Sequence, residues 1–318
     1  MSLSLSLTKE KPVVAVTMAN GLQGRSVIRH LSKSGKFHIR ALTRNPFSSK
    51  SKDLLNYPNV EIVGADLLNI ESLEKAFQGV HGIFGNTTPT KGWRVFRGSM
   101  VREYEMAQGR NLINSVKNTY ISGKLKHFVF SSVCKSSDPL LSTPAPGHFS
   151  SKWDIEECIS HNDLQSITTV IRPASYFENF FSNIPGARIS ETSFPGVVHP
   201  ERKWQTIAVD DVGAWTNAIL NHPDKFLGEA INLAGEEMTG NQMAELFQSL
   251  KTSQSKKVKY EMLPRFLLRL IEHDIAIMAS WIERSGYGAN ISYLKSLSNE
   301  LDFSMTSLSS WLRQKRFV

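Results

Sequence analysis

The chain has 318 residues, 41% of them apolar and 21% charged, which is the composition of a globular protein with ample length for a buried core. Its net charge of +8 suits anionic small ligands, whereas the dispersed basic residues and the lack of any helix-turn-helix or zinc-finger pattern argue against a nucleic-acid partner. No apolar run approaches the roughly 18 residues of a membrane span, and Cys134 and Cys158 suggest neither a disulfide framework nor a metal site, so a reducing, cytoplasmic setting is the default.

Residues 1–10 read as a flexible extension and not a signal peptide. Val13–Thr17 (VVAVT) reads as a buried strand, followed by a helix over Gly24–Ser34 with Val27, Ile28 and Leu31 on one face and Gly35 as its stop. Strands follow at His38–Thr43 and Val60–Val63. A helix through Leu73, Ala76 and Phe77 then ends at Gly79. Next come a strand over Gly82–Thr87 and a long helix over about Val101–Ser122, where Leu112, Ile113, Val116 and Tyr120 recur at helical spacing. A strand at His127–Ser132, a helix at Phe149–His161 and a strand at Ile167–Arg172 complete the first half.

From Pro173 the rhythm changes to short segments and turns. Leu263–Ile282 reads as one helix with a wide apolar face, kept from membrane character by Arg265, Arg269 and Glu272. Its Met262, Phe266, Met278 and Trp281 suit an apolar substrate pocket, a lobe core or the face of a homodimer. The strand–helix alternation predicts an α/β chain. A Rossmann-type doubly wound parallel sheet is expected over 11–172 and a smaller C-terminal α/β lobe over 173–318, with part of 203–236 returning to the first domain.

Ligands on such sheets lie at the C-terminal strand ends. There the first strand runs into Met18-Ala19-Asn20-Gly21-Leu22-Gln23-Gly24 and a helix, a glycine turn suited to a pyrophosphate. The same turn also serves as a plain strand–helix connection. The second strand ends in Thr43-Arg44-Asn45, and no acidic residue lies between Ile39 and Lys52. An acidic residue here would select the 2′-hydroxyl of NAD. Arg44 instead fits the 2′-phosphate of NADP. Asp66, after the third strand, suits the adenine amino group or merely caps the next turn. Asn86-Thr87-Thr88-Pro89 would line the groove beyond the fourth strand.

Val13–Pro46, Gly64–Leu67 (GADL), His127–Ser132, His148–Lys152 (HFSSK), Arg172–Asn179 (RPASYFEN), Ile207–Gly213 and Gly228–Thr239 together resemble the NmrA-like branch of the atypical short-chain dehydrogenase/reductases. Met18 stands where the family usually has glycine. The resemblance implies a bilobal protein that binds NADP(H). Implied contacts are Met18, Ala19, Asn20, Gly21, Leu22 and Gln23; Arg44, Asn45, Pro46, Phe47 and Ser48; Asp66 and Leu67; Thr87, Thr88 and Pro89; Lys152; and Tyr176, Phe177, Glu178 and Asn179.

Ordinary short-chain dehydrogenases place a proton-donating Tyr four residues before the Lys. In this chain the pair is His148 and Lys152, which share a helix face. His148 is either a proton donor or a helix-entry residue, with the adjacent Lys152 favouring its neutral form. Ser132 and Tyr176 are further candidates for polarising a substrate carbonyl. Two functions remain open. One is an NADPH-dependent reductase of an apolar carbonyl, enone or quinone; the other is an NADP(H) redox sensor that regulates a protein partner.

Overall fold

The computed structural model describes residues 10–89, 99–135, 146–181, 188–251, 256–271 and 273–315. In the first half, strands β1 (Val13–Val16), β2 (His38–Thr43), β3 (Val60–Gly64), β4 (Gly82–Gly85), β5 (His127–Ser131) and β6 (Thr168–Pro173) alternate with helices. The helices are α1 (Leu22–Ser34), α2 (Ser49–Lys52), α3 (Ile70–Ala76), α4 (Ser99–Ile121) and α5 (Gly147–His161). The second half continues with β7 (Ser175–Tyr176), β8 (Ser193–Gly196), β9 (Trp204–Ile207), α6 (Val209–Asn221), α7 (Pro223–Phe226), β10 (Ala230–Leu233) and β11 (Glu236–Met238). It ends with α8 (Gly240–Leu250), β12 (Lys259–Met262), α9 (Arg265–Ile271), α10 (His273–Ser285), α11 (Ile291–Glu300) and α12 (Leu308–Gln314).

Seven strands form one parallel sheet in the order β10-β6-β5-β4-β1-β2-β3. This is the doubly wound arrangement expected from the strand–helix alternation. Both faces are buried, so the strands read as nearly continuous apolar runs. Val14, Val16, Ile39 and Val129 face one core with α1 and α6, while Ala15, Ile83, Phe128 and Phe130 face the other with α4 and α5. Strand β10 and helix α6 come from the second half of the chain. Helix α6 lies so close to α1 that a β-carbon on Gly213 would fall 2.3 Å from Ser26 Oγ.

The remaining strands form two small sheets, β11-β9-β7 and β12-β8. The first core runs on into this lobe through Phe177, Phe194, Trp281 and Trp311. The stretch read as one helix over Leu263–Ile282 is helical from Arg265 onward in its described residues, α9 and α10, and Leu263 and Pro264 precede it. Its apolar residues are unevenly covered: Trp281 is buried, whereas Phe266 is 65% exposed. No helix among the described residues is long and apolar enough to cross a membrane.

Candidate functional site

In the sheet, β1 lies between β2 and β4, so the connections leave it in opposite directions. At this switch point the strand ends open into a cleft of about 230 Å³. Met18, Ala19, Asn20 and Gly21 line it from the glycine turn, Arg44 and Asn45 from the end of β2, Asp66 and Leu67 from the end of β3, and Thr88 from the loop after β4. Met18 holds a φ of +51°, the left-handed conformation that a glycine adopts without strain. The turn is tight: a β-carbon on Gly24 would fall 2.4 Å from the Met18 carbonyl oxygen.

The loop after β2 is held by short polar side chains. Asn20 Nδ2 donates to Thr43 Oγ1 at 2.9 Å and to Ser51 Oγ at 2.8 Å, and Ser51 Oγ donates to the Asn45 carbonyl at 2.6 Å. Ser48 caps α2, accepting from the Ser51 amide at 3.2 Å. Pro46 packs over Gly64, where a β-carbon would sit 3.2 Å from Pro46 Cγ. These contacts leave Arg44 exposed at the cleft rim, with no carboxylate within ion-pair distance among the described residues. Asp66 Oδ1 accepts from the Leu68 amide at 3.0 Å, so the turn-capping role is real while the residue still lines the cleft.

The loop after β4 leaves the sheet at Asn86, two residues before the expected strand end. Its direction is set by Thr17, whose hydroxyl accepts from the Asn86 amide at 2.8 Å, and by Gln108, which brackets Thr88 with bonds of 2.8 and 3.3 Å. Beneath the loop lies Lys152. Its Nζ reaches Asn86 Oδ1 at 2.9 Å, Thr87 Oγ1 at 2.9 Å, the Thr87 carbonyl at 3.0 Å, the Ser131 carbonyl at 3.4 Å and Glu105 Oε1 at 3.2 Å. Glu105, on α4, is fully buried and also accepts from Thr87 Oγ1 at 2.8 Å and Ser151 Oγ at 2.5 Å. Burial pulls the Lys152 pKa below its ordinary value, and the Glu105 carboxylate opposes that pull.

His148 lies one turn before Lys152, its ring edge-on to Phe149 at 4.8 Å. Its pKa is lowered, first by burial and in smaller part by Lys152, against the opposing pull of Glu105 and Asp274. Burial therefore contributes more to the neutral imidazole than the lysine invoked from the sequence. Tyr176 reaches across to the first turn of α1, where Gln23 Nε2 donates to its hydroxyl at 2.5 Å. Burial raises the Tyr176 pKa well above the usual phenol range.

Other predicted residues have their side chains directed elsewhere. Phe177 is buried against Trp311, with ring centroids 5.6 Å apart. Glu178 accepts from the Val209 amide at 3.1 Å and from Trp311 Nε1 at 3.2 Å, which ties α6 and α12 together. Asn179, Leu22 and Phe47 point to solvent. Ser132 is buried beside Glu156, whose carboxylate also pairs with Arg172 at 2.6 Å and Lys135 at 3.1 Å. Pro89 closes the described part of the loop after β4.

The NmrA-like family profile matches residues 10–312. The chain belongs to the NmrA-like family. An NmrA-like family domain-containing protein of Dictyostelium discoideum is 26% identical over 295 residues, covering 87% of this chain and 89% of its own length. The NmrA-like family domain-containing oxidoreductase FrzB of a Cladobotryum species is 27% identical, covering 78% and 75%. Among solved structures, NmrA, a negative transcriptional regulator in complex with NADP, superposes with a TM-score of 0.73 at 20% identity, covering 96% of this chain and 95% of that one. An NADPH-dependent quinone oxidoreductase of Escherichia coli complexed with NADPH gives 0.72 at 22% identity, covering 95% and 99%. At these identities the structures establish a shared fold.

Within this NmrA-like chain, sequence reasoning missed Glu105 and Tyr287. Glu105 precedes Leu112 by one heptad and so falls on the apolar stripe of α4; a charge on a buried stripe signals a buried partner. Tyr287 carried no comparable signal. It sits in the connection after α10, buried against Trp281, with its hydroxyl 2.7 Å from Ser175 Oγ at the start of β7.

Proposed function

We propose that the chain binds NADP(H) across the strand ends and uses it to reduce an apolar carbonyl, enone or quinone. The observation that carries this reading is the cleft at the switch point, which combines a close-packed glycine turn with an unpaired guanidinium at the end of β2. The residues fit a dinucleotide. Gly24 lets α1 start directly beneath the loop, and among the described residues the rim guanidinium meets no competing carboxylate and the buried Asn20 Oδ1 and Gln23 Oε1 have no hydrogen-bond partner. Met18 to Gly21 would hold the pyrophosphate, Arg44 the 2′-phosphate, and Asp66 the adenine edge. The loop from Asn86 to Thr88 would hold the ribose on the nicotinamide side.

When bound, NADPH supplies the hydride; the protein's task is orientation and polarisation. His148 packs on the buried ring of Phe149, which in turn meets Trp281, so any substrate admitted beside His148 would meet apolar side chains. The fungal relative named an oxidoreductase and the fold shared with a quinone oxidoreductase support this assignment.

A redox-sensor role is the second reading. It is favoured by the ion pair and hydrogen bonds that engage Lys152 and by the raised pKa of Tyr176, which disfavours proton transfer from that phenol. Mixing the purified protein with NADPH and a panel of quinones, aldehydes and enones, and following nicotinamide absorbance, separates the two. Steady turnover supports the reductase; tight NADPH binding without turnover on any of the panel supports the sensor.

A further inference from the structure

We propose that Glu105 is a positioning residue that acts through Lys152: the buried pair fixes the loop from Asn86 to Thr88, and so sets the groove that meets the dinucleotide. This rests on the NADP(H) reading and deepens it. An ammonium has three N–H groups, and five oxygens of the protein already surround Lys152 Nζ within 3.4 Å. Three of those oxygens belong to Asn86 and Thr87, so the lysine pins both residues, one through its side chain and the other through backbone and hydroxyl. A ribose hydroxyl that reached the ammonium would take the place of one of these oxygens.

Glu105 completes the device. It accepts from Lys152 and from Thr87 Oγ1 on one oxygen and from Ser151 Oγ on the other. Thr87 thereby sits between the two charges, accepting from the lysine and donating to the glutamate. Phe130 adds a ring face 5.7 Å from Nζ, and both Lys152 and Glu105 are buried. In such a place an ammonium stays charged only with a carboxylate beside it. Other titratable groups near the pair include His148 on α5, whose pKa burial lowers, and Asp274 on α10, which acts on His148. Glu105 is thus the carboxylate in contact with the ammonium.

The test uses full-length protein and two readouts. In cofactor-free, ¹⁵N-lysine-labelled protein, with the Lys152 signal assigned through Lys152→Arg, the wild-type ammonium is followed through its titration. In Glu105→Gln it should titrate at least one pH unit lower. An identical titration in both proteins would overturn the pairing. In calorimetric titrations with NADPH, Glu105→Gln should bind at least tenfold more weakly at pH 9 than at pH 6.5, beyond any change seen in the wild type. Adding Glu105→Gln to Lys152→Met should weaken binding no further than Lys152→Met alone. Independent, additive losses, or a pH profile matching the wild type, would overturn the proposal. If the ¹⁵N shift is found but the wild type binds no NADPH, the pair stands as described, the loop's role toward the dinucleotide is refuted, and the failure lies in the cofactor reading.

Discussion

Gly24→Ala isolates the geometry of the glycine turn. A β-carbon at this position would lie 2.4 Å from the Met18 carbonyl oxygen and 2.9 Å from both the Met18 carbonyl carbon and Ala19 Cα. Ordinary contacts lie roughly 1 Å farther out, and all three obstacles are backbone atoms with no rotamer to change. Helix α1 cannot back away freely, because Gly213 of α6 is pressed against Ser26 on its other side. Helix propensity acts in the opposite direction, favouring Ala over Gly by roughly 1 kcal/mol. Overpacking of a tight site costs roughly 1–3 kcal/mol, so the clash prevails and a net loss of about 1–2 kcal/mol is expected. NADPH affinity should fall further, by about 10- to 100-fold, because the displaced loop is the one that would carry the pyrophosphate. Urea unfolding and calorimetric titration measure the two effects. Unchanged stability together with unchanged NADPH affinity would refute the reasoning. Met18→Gly is the control for conformation: it relieves a left-handed residue but loosens the unfolded chain, and stability should stay within about 1 kcal/mol of wild type.

Arg44→Glu replaces the unpaired rim guanidinium with a repelling carboxylate, so NADPH affinity should drop by roughly 100-fold while NADH affinity changes little; equal losses for both dinucleotides would remove the phosphate clamp. Tyr176→Phe strips the hydroxyl that accepts from Gln23, so the melting temperature should fall by a few degrees for roughly 1–2 kcal/mol. Because that phenol is held well above its usual pKa, turnover on any active substrate should fall less than about tenfold, against the 100-fold or more expected of a true proton donor. Burial pushes the Asp211 carboxyl up to about 7 from 3.8, despite hydrogen bonds from Thr306. The folded state therefore binds this proton more tightly than the unfolded chain, and its contribution to stability is lost as pH rises from about 4 to about 7. Denaturant unfolding of Asp211→Asn should show its stability rising relative to wild type across that window by roughly 2–4 kcal/mol, and parallel curves would contradict the burial argument.

The sheet was legible because its strands are buried on both faces and the sequence marks them with short β-branched runs. The cleft was legible because glycine spacing and the absence of acidic residues after β2 are local features. The ion pair under the loop was not: Glu105 and Lys152 lie 47 positions apart on helices α4 and α5, and only packing brings them together. The Tyr176–Asn179 segment was read as a unit, yet a strand and a tight turn send its side chains in different directions. Tyr176 goes toward α1, Phe177 into the core, Glu178 to Trp311 and Asn179 to solvent. The uneven burial of the Leu263–Ile282 stretch was hidden because apolar composition is indifferent to direction.

The chain passes between the seven-stranded layer and the β11-β9-β7 sheet three times, at 173–175, 207–209 and 233–236, as β6 leads to β7, β9 to α6 and β10 to β11. A fragment ending at Pro173 would carry the whole glycine turn, yet β6 would become a bare sheet edge and the α1 face that α6 covers would meet water. The nucleotide half is therefore not a detachable cassette. The cleft at the strand ends therefore rests on a sheet whose last strand and covering helix are supplied from the far half of the chain.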